Sequence, residues 1–85
     1  MYLLTNSDRN ILFRTDRYDS IEILTMLKPE TIVILKEFGV EVIKDLVRLP
    51  LYDRSISKSF SDEELSKLQA IIAHIFNGAY DNLHG

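Results

Sequence analysis

Among its 85 residues the chain has no cysteine and no tryptophan, and only three glycines and two prolines. Without cysteine there is no disulfide staple and no thiolate-held metal, and the natural setting is a reducing one, so a cytoplasmic location is expected. No stretch approaches the roughly 18 consecutive apolar residues of a membrane span, so no contact with the membrane is expected. The opening MYLLTNSDRN lacks a basic start followed by an apolar run and does not read as a secretory signal. Scarce glycine and proline exclude low-complexity or collagen-like chain, and they give each remaining one weight as punctuation.

What is present is ordinary globular composition, 46% apolar and 27% charged, which argues against disorder. A chain of this length forms one domain, residues 1–85, burying only about 60% of its unfolded surface, so its core is small and leaves no room for a deep substrate pocket. The net charge of −3 weakens any general affinity for nucleic acid. There is no internal repeat and no linker.

The organising stretch is Ser20–Leu49, which holds most of the large aliphatic side chains. Asp19 or Ser20 suits a helix N-cap, and Ile21, Leu24 and Leu27 then share one face at helical spacing. Pro29 fits the first turn of a helix and Gly39 a left-handed stop. Between them Ile32, Val33, Ile34 and Leu35 run consecutively. Their β-branched character suits a buried strand, but the proline start and glycine stop favour a helix. Apolar on several sides, that helix should be central and surrounded. Val42, Ile43, Leu46 and Val47 form the stripe of an amphipathic helix ended by Pro50. Residues 51–60 form a serine-rich connection, longer than most in compact domains. Ser61-Asp62-Glu63-Glu64 is a capping-box sequence in which Glu64 is expected to reach back to the cap. The helix it opens carries Leu65, Leu68, Ile72, Ile75 and Ala79 on a seam, flanked by Ile71 and Phe76, with Asn77-Gly78 as its end and a tail, Ala79–Gly85, expected either to fray or to fold back through Tyr80 and Leu83.

At the N-terminal end, Tyr2-Leu3-Leu4 and Ile11-Leu12-Phe13 flank the polar cluster Thr5–Asn10, a pattern that predicts a β-hairpin. The expected fold is therefore mainly α with a minor β part: a short N-terminal β-hairpin followed by a compact bundle of three to four short helices.

Leu35-Lys36, Gly39-Val40 and Asp45-Leu46-Val47, within residues 27–47, resemble the first helical hairpin of helix-hairpin-helix domains, and the C-terminal domain of the bacterial RNA polymerase alpha subunit has a similar stretch. The resemblance covers about a quarter of the chain and implies a nucleic-acid-binding module. The glycine-containing second hairpin of that pattern is missing, because residues 55–64 contain no glycine.

The search for chemistry returns little. His74 and His84 are not spaced as metal ligands, no serine sits in a nucleophile-elbow pattern, and the carboxylates are those of helix starts and solvated faces. Neither an enzyme nor a cofactor is expected. The basic residues Arg48, Arg54 and Lys58 could contact phosphates, with Tyr52 stacking a base. Asp62, Glu63 and Glu64, however, repel a phosphate from the adjoining helix start. Arg9, Arg14 and Arg17 are offset by Asp8, Asp16 and Asp19. The last helix is apolar over a wider arc than one internal contact needs, which points to a partner surface. The expectation is a small non-catalytic regulatory or adaptor protein that binds another protein, for instance as an inhibitor, through Tyr52, Arg54, Leu68, Ile71, Ile75 and Phe76. Two rivals stand beside it. One is a nucleic-acid module using Arg48, Arg54 and Lys58. The other is a structural homo-oligomer, in its simplest form a homodimer, in which Leu68, Ile72 and Ile75 meet their copies.

Overall fold

The computed structural model describes residues 3–75. Five α-helices follow one another: α1, Asn6–Arg14; α2, Pro29–Glu37; α3, Ile43–Leu46; α4, Arg54–Ser57; and α5, Asp62–His74. A single 3₁₀ turn, Ile21–Ile23, lies between α1 and α2. The fold is mainly helical, and among the described residues there is no strand, only an isolated antiparallel bridge between Ser20 and Val42. No helix of the described residues is long and apolar enough to cross a membrane.

The N-terminal hairpin is the part of the expected fold that does not form. The polar cluster at residues 5–10 is the first turns of α1. Thr5 is its N-cap: the Asp8 N–H donates to Thr5 Oγ1 at 3.1 Å, and the Thr5 N–H donates to Asp8 Oδ2 at 3.0 Å. This reciprocal cap satisfies two donors of the first turn locally, which a hairpin turn at the same residues cannot match. Leu12 faces the core while Phe13 projects into solvent. The helix expected from Ile21 to Leu27 is also shorter, a 3₁₀ turn capped by Ser20 Oγ, which accepts the Glu22 N–H at 3.2 Å.

The centre follows its punctuation. Pro29 opens α2, and Gly39, at φ +87°, closes it. The Gly39 N–H donates to the Lys36 carbonyl at 3.0 Å and the Val40 N–H to the Leu35 carbonyl at 2.9 Å. This paired pattern of a glycine-ended helix brings buried Val40 over buried Leu35. Residues 31–35 are therefore helix, not strand. The serine-rich connection carries the short α4, capped by Asp53, whose Oδ1 accepts the Ser55 N–H at 2.9 Å. Phe60 tucks inward after it and meets Phe38, with ring centroids 6.2 Å apart. The two helix–turn–helix units, α2–α3 and α4–α5, thus touch at their turns.

The core is one cluster drawn from every segment except α4: Leu12, Ile21, Leu24, Leu27, Leu35, Val40, Ile43, Leu46, Phe60, Leu68, Ile71 and Ile75. Each fully buried aliphatic side chain in such a cluster contributes about 1.5–3 kcal/mol.

Candidate functional site

The most deeply buried polar group among the described residues, Glu64, is structural. Ser61 caps α5 by accepting the Glu64 N–H at 3.2 Å. The Glu64 side chain does not return to that cap. It crosses to α2, where Oε1 accepts the Lys28 N–H and the Thr31 hydroxyl, both at 2.7 Å. Lys28 is the N-cap residue of α2 and caps nothing with its own side chain, so a carboxylate from α5 supplies the negative end that α2 needs. Glu64 Oε2 is enclosed and faces the Lys67 ammonium at 3.0 Å, and that ammonium also donates to the Met26 carbonyl at 3.0 Å. Burial pushes the Glu64 carboxyl up, but the hydrogen bonds from Lys28 and Thr31 and the Lys67 charge outweigh it and hold the group below its usual value. Oε2 has only the Lys67 charge against it, and the pair ties α5 to the start of α2.

The same packing decides the fate of the expected contact residues. Leu68, Ile71 and Ile75 lie inside their own chain's core, so they are not a free surface. Their position is corrected from partner face to core, and the reason is geometric: that side of α5 is buried in the same cluster that holds Leu24, Leu27 and Leu35. Phe76 lies outside the described residues, as do the Asn77-Gly78 end, Tyr80 and Leu83. Tyr52 is 92% exposed and Arg54 is exposed beside it; both stand where a partner can reach them.

The apolar surface lies elsewhere, on α2. A helix advances about 100° per residue, so four consecutive aliphatics spread around its whole circumference. Thr31 and Leu35 turn inward, Ile32 and Ile34 lie at the margins, and Val33 is 56% exposed. The helix expected to be surrounded is open on one side, because none of the described elements covers Val33. Along that side runs an open groove of about 490 Å³, lined by Glu22, Leu24, Thr25, Leu27, Pro29, Ile32, Val33 and Lys36. Its volume is that of a ligand pocket, but its form is shallow. At its rim the Lys36 ammonium meets the Glu22 carboxylate at 3.1 Å, and this hydrogen-bonded charge lowers the Glu22 pKa. Sequence reading missed these residues; the signal was the unbroken Ile-Val-Ile-Leu run, too wide for one buried face.

The candidate phosphate contacts are only partly gathered. Arg54 opens α4 and Lys58 closes it one turn later, both exposed. Arg48 lines a separate small cleft with Phe38, Gly39, Val40, Asp45, Leu49 and Pro50, which includes neither Arg54 nor Lys58. Among the described residues there is no group of His, Asp and Glu side chains arranged to hold a metal ion. Comparison with family models, with curated proteins and with solved structures finds no match for this chain.

Proposed function

We propose that this protein is a small non-catalytic adaptor or regulator that binds another protein, and that its contact surface is the groove along α2. The observation that supports this reading is Val33. A β-branched aliphatic residue is held in solvent at mid-helix, over a floor of Leu24, Leu27 and Ile32 and beside Pro29. Apolar side chains gathered along a concave strip, rimmed by charge, are the pattern of a recognition surface rather than of a solvated face. Tyr52 and Arg54 form a second exposed element of the same kind, with an aromatic and an arginine of the types that anchor interfaces.

The test is affinity capture from native cells with two baits, the natural chain and Val33→Glu, followed by mass spectrometry. The reading expects a protein retained by the first bait and lost by the second, with both baits giving the same circular dichroism spectrum. Recovery of nucleic acid without protein would defeat it. Recovery of the chain itself, with light scattering that reports a dimer broken by Val33→Glu, would transfer the groove to the homo-oligomer reading. The nucleic-acid reading is supported by the exposed Arg54 and Lys58, and it expects binding that falls steeply with salt.

A further inference from the structure

Tyr18 stands in the connector after α1, with 59% of its surface exposed. Two cations lie against its ring: the Arg17 guanidinium, 5.2 Å from the centroid, and the Lys44 ammonium, 5.7 Å away. These cations come from segments distant in sequence, and the backbone clamps the two together. The Lys44 N–H donates to the Arg17 carbonyl at 2.8 Å and the Ile43 N–H to the Asp19 carbonyl at 3.0 Å, next to the Ser20–Val42 bridge. Among the described residues neither cation has a carboxylate partner. The acids beside them in sequence are turned to the backbone: Asp16 Oδ1 accepts the Arg17 N–H, and Asp19 Oδ2 accepts the Asp16 N–H, each at 2.8 Å.

We propose that Arg17, Tyr18 and Lys44 form a docking point for an acidic segment of a partner protein, whose carboxylates pair with the two cations. The ring holds both charges in place, which lowers the cost of ordering two long side chains when an anion arrives. A carboxylate adds to this arrangement, whereas a nucleobase would compete with the cations for the ring face. None of the three residues lines the α2 groove, so this inference stands apart from that reading.

The probe is hexaglutamate, titrated at low salt into isotope-labelled protein and followed by backbone amide chemical shifts. The amides of Arg17, Tyr18 and Lys44 should move together. Arg17→Gln combined with Lys44→Gln should weaken binding by about tenfold, the size expected of two exposed ion pairs. Tyr18→Leu, which keeps both charges but frees them, should weaken it by about threefold. Val33→Ser, which alters the groove without adding charge, should leave the affinity unchanged, separating this site from the groove. Equal loss from Arg54→Gln with Lys58→Gln would show that the chain merely attracts anions, and would overturn the proposal. So would tighter binding of a thymidine dodecanucleotide at the same amides, which would assign the cluster to nucleic acid.

Discussion

α5 and α2 carry comparable loads of aliphatic side chains, yet the fold uses them in opposite ways. On α5 the buried residues Leu68, Ile71 and Ile75 recur every three or four positions, so a single face collects them, with Leu65 and Ile72 half-buried at its margins. On α2 the aliphatic residues are consecutive, so burial against one neighbour always leaves some outside. The lesson is that spacing, more than apolar content, decides whether a helix in a short chain is closed or open. The two helices are joined where that difference is sharpest, by Glu64 of α5 reaching the first turn of α2.

The strongest way to break the comparison is to remove a closed residue. Leu68→Ala deletes a side chain with no exposed surface and should cost about 3 kcal/mol, measured by urea unfolding. A loss under about 1 kcal/mol would mean that the α5 seam is not closed and would restore it as a candidate partner face.

Next comes the junction. Glu64→Ala leaves the Lys67 ammonium and the Lys28 N–H without their shared acceptor and should cost about 3 kcal/mol, while Glu64→Gln, which keeps an oxygen for Lys28 and Thr31, should cost clearly less. The pH dependence has a defined sign. The folded Glu64 pKa lies below the ordinary 4.5. Its contribution is therefore fully present above that value and is lost as the pH falls through the lower folded value. Unfolding free energy measured from pH 6 down to pH 3 should drop less steeply in Glu64→Gln than in the natural chain. Parallel curves would remove Glu64 from the acid response.

How much of this could be read from the residues follows the same division. Pro29, Gly39 and Ser61 place helix ends correctly because each acts through its own backbone or its nearest turn, and such signals need no tertiary context. Thr5-x-x-Asp8 is a signal of the same local kind, but the flanking Leu-Leu and Ile-Leu-Phe runs imitate a hairpin and mask it. Glu64 was legible as a capping residue but not as the cap of another helix, since its partners lie more than thirty positions away. The groove was hidden for a related reason. Whether a helix that is apolar all round is surrounded depends on how many layers the rest of the chain can build, and no local pattern carries that.

A milder probe is Gly39→Ala. A methyl group there meets nothing within 4 Å, but φ of +87° is a conformation that L side chains rarely adopt. The expected cost is about 1 kcal/mol, all of it from the backbone. A larger loss would place a neighbour in what is open space here.

The smallest stability effect sits on the open side. Val33→Ser removes apolar surface that is already more than half in water and should change unfolding free energy by less than about 0.5 kcal/mol. The same substitution should impair capture of the partner proposed for the groove, since the exposed apolar area is what a partner would bury. Stability and binding are thus separable on α2 but not on α5, where any truncation of the seam reaches the core first. If Val33→Ser instead destabilises the chain as much as Leu68→Ala does, Val33 is covered in solution, and the contrast between the two helices, with the recognition surface built on it, fails.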